Sequence, residues 1–141
     1  MSTVAKFLDD LNEELVQRAE TIVCALGQQQ GRMEELGKSQ LSRAIDVARS
    51  AGSVRVLRNW LAYQAAREQS RAFWAQSAGE TLLIDHVKKT LAFIEERTNQ
   101  SFSSDAEARR AAATEAAVRF LGFLRRAFMA RELILRWEGS G

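Results

Sequence analysis

Apolar residues recur every three or four positions along most of the chain, which is the spacing of one face of an α-helix. In the first segment they form a single stripe: Val4, Phe7, Leu8, Leu11, Leu15, Ile22 and Leu26. Residues 27–31, two glycines around three glutamines, predict the end of this first helix. Alternation with a period of two is missing over any useful length, so the pattern predicts no strands.

Two further helices are predicted next, separated by a glycine turn. The second helix is expected to follow Gly37, with Ser39 as a favourable cap, and Gly52 suits the left-handed residue that follows a helix end. Ser53 then opens the third helix, whose apolar stripe predicts that it continues through Phe73 and Trp74.

Two serine-x-x-glutamate spacings, typical of the capping box at a helix start, mark the last two helices. The spacing at residues 77–80 predicts the start of the fourth helix, before an apolar stripe that begins at Leu83. The spacing at residues 104–107 predicts the start of the last helix, over 105–137, after the loop-like stretch 98–104.

These elements predict an all-α fold, a compact single-domain bundle of about five helices over residues 1–138. Residues 139–141 are expected to be a flexible tail or a cloning remnant. The 141 residues suit one domain, because a chain of this length buries about 70% of the surface that its unfolded form exposes. Proline is absent, which favours long uninterrupted helices.

Residues that carry catalytic chemistry are few. Cys24 and His86 are the single cysteine and the single histidine, which excludes a disulfide scaffold, a cysteine-rich zinc site and a paired-histidine metal motif. Cys24 is interpreted as a small hydrophobe, and His86 as a boundary residue hydrogen-bonded to a neighbour. Residues 27–31 lack the lysine and hydroxyl that a phosphate-binding glycine loop needs. We therefore expect no enzyme: no catalytic residue, no metal and no cofactor.

The chain shows no export or membrane pattern. No apolar run approaches the roughly 18 residues that a membrane span needs. The first residues run directly into an amphipathic pattern rather than a secretory signal. We therefore expect a cytoplasmic protein without a membrane partner.

Charge alternates in blocks, although the formal net charge is only +2, from 20 basic and 18 acidic residues. Counting lysine and arginine against aspartate and glutamate gives −4 for residues 1–37, +5 for 38–71, −3 for 72–107 and +4 for 108–141. The two basic segments form a positive surface if the fold brings them together. Arginine outnumbers lysine 16 to four, which suits phosphate recognition. Genomic base composition is an equally good explanation of that ratio.

Arginines on predicted helix faces are the candidate contacts to a nucleic-acid backbone. Arg55 and Arg58 share one face at i,i+3, and Arg67 and Arg71 share another at i,i+4. Arginines on rigid helices contact phosphates without reading sequence, while a solvated face with intrahelical ion pairs is the open alternative. Trp60, Tyr63 and Trp74 lie among these arginines and are candidates for base stacking. Core packing is favoured for Trp60, whose spacing joins it to the apolar stripe.

Three segments resemble elements of one known family. Residues 36–43, Leu-Gly-Lys-Ser-Gln-Leu-Ser-Arg, are similar to its short Ser/Thr-Ser-Gln-Leu/Ile-Arg element, and residues 61–68, Leu-Ala-Tyr-Gln-Ala-Ala-Arg-Glu, to its Leu-Ala-Tyr-x-x-x-Arg element. The Phe-x-x-Phe pair at 120–123 and the alanine-rich turn at 127–130 resemble its closing helix. The family is the small helical subunit of type III-A CRISPR effector complexes. The type III-B small subunit has a similar helical build, so the subtype stays open.

The resemblance implies a non-catalytic subunit that lines the channel of a type III effector complex. Its implied partners are the backbones of the guide RNA and the target RNA, the other subunits of the complex, and neighbouring copies of itself in a short stack. Sequence recognition would be left to base pairing. The residues expected to bind RNA are basic and lie on predicted helices: Lys38, Arg43, Arg55, Arg58, Arg67, Arg71, Arg125, Arg126 and Arg131.

Two other functions remain open on the sequence alone. The first is a helical adaptor or regulator that binds only protein through an exposed apolar stripe. Steep salt dependence distinguishes a phosphate binder from such an adaptor. The second is a small DNA-binding regulator with a helix-turn-helix around residues 51–53. The early apolar residues Leu57, Trp60 and Leu61 argue against it, because a recognition helix presents polar groups there.

Overall fold

The structure is a computed structural model that describes residues 3–140, and over that range it contains seven helices and one short hairpin. The helices are α1 (Thr3–Leu26), α2 (Arg32–Ala51), α3 (Val54–Ala66), α4 (Glu68–Trp74), α5 (Leu83–Ser101), α6 (Ala106–Met129) and α7 (Arg131–Ser140). The hairpin pairs β1 (Ser77–Ala78) antiparallel with β2 (Thr81–Leu82). The all-α class is therefore confirmed in outline, while the predicted number of helices and the prediction of no strands are wrong.

Helix α6 is the central element of the bundle. It packs most extensively against α1 and α2, and it also contacts α3, α5 and α7. Its buried face carries several alanines, including Ala112, Ala116 and Ala117, which have little or no exposed surface. These small side chains let the neighbouring helices approach closely, and larger residues such as Phe120 and Phe128 fill the space farther along.

The predicted stripe of α1 is confirmed. Leu8, Leu11, Leu15, Ile22 and Leu26 are all buried, and the helix ends at Leu26 as the glycine-flanked glutamines indicate. Glycine is needed in the loop that follows, because residues 27 and 31 both have positive φ angles.

Helix α2 begins earlier than the Ser39 cap predicts. It starts at Arg32, with Glu34 and Glu35 in its first turn, where carboxylates favour the helix dipole. Gly37 therefore does not precede the helix but lies buried inside it. A glycine fits there because the rings of Phe73 and Phe128 occupy the space that a side chain would need.

The turn between α2 and α3 matches the prediction. Gly52 ends α2 with a left-handed φ of 72°. Ser53 caps α3 by accepting a hydrogen bond of 3.1 Å from the backbone N–H of Val56.

The predicted third helix is divided in two at Arg67, whose extended backbone (φ −77°, ψ 135°) separates α3 from α4. The hydroxyl of Ser70 donates a 2.7 Å hydrogen bond to the carbonyl of Gln64 and thus replaces a helical partner at the break. The change of direction carries Trp74 into the core, where its indole N–H donates to Gln40 Oε1 at 2.7 Å.

The serine-x-x-glutamate spacing at residues 77–80 is not a capping box. These residues form β1 and the hairpin turn, in which Gly79 has φ 74°, and α5 begins only at Leu83. His86 Nε2 lies 2.7 Å from the carbonyl oxygen of Ala78 and 3.0 Å from Thr81 Oγ1, so the imidazole joins the hairpin to α5. This is the boundary role predicted for His86.

The predicted last helix is also divided. Asp105, rather than Ser104, caps α6 by accepting a 3.0 Å hydrogen bond from the Ala108 N–H. The helix ends at Met129, and α7 starts at Arg131. Helix α7 continues to Ser140, across part of the expected tail, and residue 141 of that tail lies outside the described residues.

Candidate nucleic-acid interface

A groove runs between α3 and α5 on the outside of the bundle, with a cavity volume of about 340 Å³. Its floor is aliphatic: Ile84 and Ala62 are accessible there, and Leu61 and Leu91 are buried below them. Its rim is basic and polar, with Arg55, Arg58, Asn59 and Lys88 among the lining residues.

A second cavity, of about 220 Å³, continues from the first toward the start of α6. Arg55 lines both cavities, so they form one trough across three helices. The second cavity adds Arg109 and Arg110 from the first turns of α6. We call this surface the basic groove and define it by its five cations: Arg55, Arg58, Lys88, Arg109 and Arg110.

Local helix geometry explains the position of these cations. On α3, Arg55 and Arg58 flank the buried Leu57, and on α5 Lys88 follows the buried Val87. Each basic residue therefore stands at the edge of an apolar stripe that faces the core. Because α3, α5 and α6 pack against one another, these edges meet at the groove.

The described residues that line the groove include one carboxylate, Glu95, whose Oε1 lies 3.4 Å from Arg58 Nη1. Arg109 Nη1 donates to the carbonyl oxygens of Phe102 and Ser103, at 3.0 and 3.2 Å, and so satisfies the end of α5. Arg58 and Arg109 therefore already have protein partners.

The other three cations of the groove are Arg55, Lys88 and Arg110, and all three are exposed. In the part of the chain that the structure describes, none of them forms a salt bridge. Unpaired cations along one trough raise the local positive potential, which favours an anionic ligand.

Of the nine residues expected to bind RNA, the structure places Arg55 and Arg58 in the groove. Arg125, on α6, donates its Nε–H to Ser42 Oγ of α2 at 2.8 Å, outside the groove, and Arg43 is an exposed residue of α2. Arg67 and Arg71 lie at the corner of α3 and α4. Arg67 Nη1 donates to Gln64 Oε1 at 3.4 Å, and its guanidinium carbon is 6.0 Å from the ring centre of Tyr63.

The three remaining candidates each have a protein partner. Lys38 Nζ lies 3.3 Å from Glu35 Oε1. Arg126 is exposed, with its guanidinium 5.1 Å from the ring centre of Phe123.

Arg131 is only 6% exposed, so its side chain belongs to the interior rather than to a surface that RNA reaches. Its Nη1 donates to the Phe128 carbonyl at 2.8 Å, and its Nη2 donates to the carbonyl of Gln29 and to Glu34 Oε2. Through these hydrogen bonds Arg131 joins the start of α7 to α2 and to the loop that precedes α2. We therefore leave it out of the proposed interface.

The sequence did not point to Lys88, Arg109 and Arg110. Lys88 lies in an acidic block, so the net charge of that block gives no indication of a basic site. Arg109 and Arg110 lie at the start of the second basic block, and two adjacent arginines just after a predicted helix start are the sequence feature that indicates them.

The three aromatic candidates for base stacking differ in how much of each side chain is exposed. Trp74 is fully buried, and Trp60 is half-buried against the core. Tyr63 is 61% exposed, so it alone of the three presents most of its ring to solvent.

No protein-family model, curated protein or solved structure matches this chain. Within residues 3–140, no three His, Cys, Asp or Glu side chains form a cluster that could hold a metal ion. Over the same residues, no helix is long and apolar enough to cross a membrane.

Proposed function

We propose that this protein is a non-catalytic small subunit of a type III CRISPR effector complex, and that it holds the backbone of guide or target RNA along the basic groove. The observation that carries the RNA-binding part is the trough with five cations and one carboxylate. The sequence resemblance at residues 36–43, 61–68 and 120–130 supports the wider role.

The arrangement of the groove suits phosphates rather than base edges. Arg55, Lys88 and Arg110 come from three different helices, and their charges are not neutralised by protein carboxylates. Cations held on packed helices can follow the line of a backbone and are indifferent to base sequence. This is the recognition expected of a subunit that leaves sequence to base pairing between two RNA strands.

The direct test is the binding of a fluorescent RNA duplex at two salt concentrations. If the three unpaired cations each neutralise one phosphate, the slope of log K against log salt is about −2 to −3, and affinity falls roughly 15- to 60-fold between 50 and 200 mM salt. A slope near zero, or no binding at 50 mM salt, contradicts the proposal.

Two matched pairs of variants locate the interface. Lys88→Glu in the groove should weaken binding, whereas Lys89→Glu, on the next residue of α5 and outside the groove, should not. Arg55→Glu should weaken binding, whereas Arg32→Glu should not. Arg32 is an exposed arginine at the first residue of α2, whereas Arg55 lies just after the last residue of that helix. If both members of a pair weaken binding equally, the effect is one of net charge and the groove is not the site.

The role in an effector complex needs a separate experiment. We expect the tagged protein, purified from its native host, to carry short repeat-derived RNA and the larger CRISPR subunits. Recovery of one or two proteins without RNA contradicts the assignment.

A protein-binding adaptor is the second candidate, and one observation favours it. Leu133 and Trp137 lie at i,i+4 on α7, with exposed fractions of 41% and 64%, and Met129 at the end of α6 is 45% exposed. Exposed apolar residues of this kind suit a partner helix or groove. Loss of partner protein on Leu133→Ser with Trp137→Ser, together with salt-insensitive binding, favours the adaptor over the RNA-binding subunit.

A further inference from the structure

The part of the basic groove between α3 and α5 is a half-open pocket, neither enclosed nor flat. Its volume of about 340 Å³ lies within the range of about 300 to 1,000 Å³ typical of small-molecule sites. Contacts to backbone phosphates position a nucleic acid without reading its bases, so a concave site of this volume has room for a further part of the nucleotide.

The lining of this pocket divides into three kinds of chemistry. Ile84 and Ala62 give an apolar floor, beneath which Leu61 and Leu91 are buried. Asn59, an exposed amide on α3, can both donate and accept hydrogen bonds at the rim. Arg55 and Lys88 supply two unpaired cations at the same rim.

Arg58 provides a further wall. Its side chain lines the pocket and is 41% exposed, and one guanidinium nitrogen forms a surface ion pair with Glu95 at 3.4 Å. Guanidinium planes are surfaces on which unpaired bases stack in RNA complexes. An apolar floor, a planar wall, an amide and two cations match the parts of a nucleotide: a flat base with polar edges, joined to a phosphate.

We propose that this pocket takes one unstacked nucleotide of a bound RNA strand, with the base over Ile84 and Ala62, its edge or ribose at Asn59, and its phosphate at Arg55 and Lys88. The inference rests on the proposed function for the supply of RNA. It adds that the protein distinguishes an unpaired nucleotide from a continuous duplex.

The test follows amide resonances of the folded protein by NMR during titration with AMP, adenosine and inorganic phosphate. AMP should shift the resonances of residues 59, 62 and 88, and should bind about tenfold or more tightly than either fragment alone, because base and phosphate are held together. Inorganic phosphate binding as tightly as AMP would show a simple anion groove and overturn the proposal.

A filled pocket provides the decisive variant. Ala62 is an exposed residue that lines the pocket, so Ala62→Phe places a ring inside it without changing the core or the charge. Ala72→Phe is the control, because Ala72 is an exposed alanine on α4 outside the pocket. We expect Ala62→Phe to abolish AMP shifts and Ala72→Phe to leave them unchanged. AMP binding that survives in Ala62→Phe contradicts the inference, and Asn59→Ala checks it with a smaller change.

Two further measurements separate this inference from the proposed function. Duplex RNA should bind Ala62→Phe within about twofold of the unmodified protein, since the rim cations remain. If the unmodified protein does not bind duplex RNA, the proposed function is refuted. The pocket is tested separately, by whether AMP shifts the resonances of the residues that line it. Single-stranded oligo(A) should displace AMP. AMP that oligo(A) does not displace would indicate a free nucleotide as the ligand and overturn the assignment to an RNA strand.

Discussion

Replacing Gly37 with alanine tests the packing at the centre of the bundle. Gly37 lies inside α2, where alanine normally improves a helix by about 1 kcal/mol. Here a Cβ atom would collide with Phe128 Cζ, and it would lie 2.7 Å from Phe128 Cε2 and 2.8 Å from Phe73 Cε1. Three simultaneous contacts below 3 Å require the rings to move.

The rings have little freedom to do so. Phe73 and Phe128 are almost completely buried and pack edge to face, with ring centres 5.6 Å apart. Trp74 packs against the other side of Phe73, with ring centres 4.9 Å apart. Overpacking of such a core costs about 3 kcal/mol at the upper end of the usual range. After the gain in helix propensity, Gly37→Ala should lower the free energy of unfolding by about 2 kcal/mol.

Gly122 is the matched control within the same protein. It lies inside α6, and a Cβ atom there meets nothing within 4 Å. Gly122→Ala should therefore raise the free energy of unfolding by up to about 1 kcal/mol. The same chemical change is expected to have opposite signs at the two sites.

Thermal unfolding followed by circular dichroism measures both variants. For a chain of this size, about 1 kcal/mol corresponds to a shift of about 3 °C in Tm. Gly37→Ala should melt about 6 °C below the unmodified protein, and Gly122→Ala up to about 3 °C above it. If Gly37→Ala melts at or above the unmodified protein, the packing of α2 against α6 described here is refuted.

A double variant identifies the cause of the loss. Phe128→Leu removes the ring atoms nearest to Gly37 and is itself destabilising. The added cost of Gly37→Ala should then fall by about 1 kcal/mol or more, because residues in contact are not additive. Full additivity would place the effect outside this contact.

Three other predictions concern Arg131, its partner Glu34, and Cys24. Arg131→Met should lower the free energy of unfolding in urea by about 2–4 kcal/mol, because the buried carbonyls of its partners lose their donor; a loss below about 0.5 kcal/mol contradicts this role. The hydrogen bond from Arg131 lowers the pKa of Glu34 below its ordinary 4.5, so its stabilisation is present above pH 4.5 and is lost as pH falls through the folded-state pKa. Glu34→Gln should therefore be less stable than the unmodified protein at pH 7, with the difference disappearing in acid; a difference that does not depend on pH refutes the ion pair. Burial, followed by the charges of Glu138 and Glu20, raises the pKa of the Cys24 thiol above 9.0, so labelling by DTNB at pH 8 should be slower than for free cysteine and faster in Glu138→Gln.

Local signals predicted the regular parts of this fold. The stripe of α1, the turn at Gly52 and the cap at Ser53 depend on residues that are close in sequence, and the structure confirms all three. The errors arise where tertiary contacts override local preference. Gly37 stays inside a helix because two phenylalanine rings need its missing side chain, and Arg67 leaves the helical conformation where Trp74 turns into the core.

The candidate interface was only partly predictable for the same reason. The sequence places Arg55 and Arg58 on one face of one helix, because helical spacing is visible in the sequence. Lys88 and Arg110 join them only through the packing of α3, α5 and α6, which no local pattern shows. The sequence predicts that Arg131 binds RNA, whereas the structure shows it as a hydrogen-bond donor in the interior.

Because the groove is assembled from three helices, its affinity for RNA should depend on tertiary structure rather than on net charge. The chain has a formal charge of +2 whether it is folded or not, so binding by charge alone would survive unfolding. Binding by Arg55, Lys88 and Arg110 together requires their helices to be packed. At a temperature between the two melting points, Gly37→Ala should therefore lose RNA binding while Gly122→Ala retains it, although neither substitution touches the groove or changes the charge.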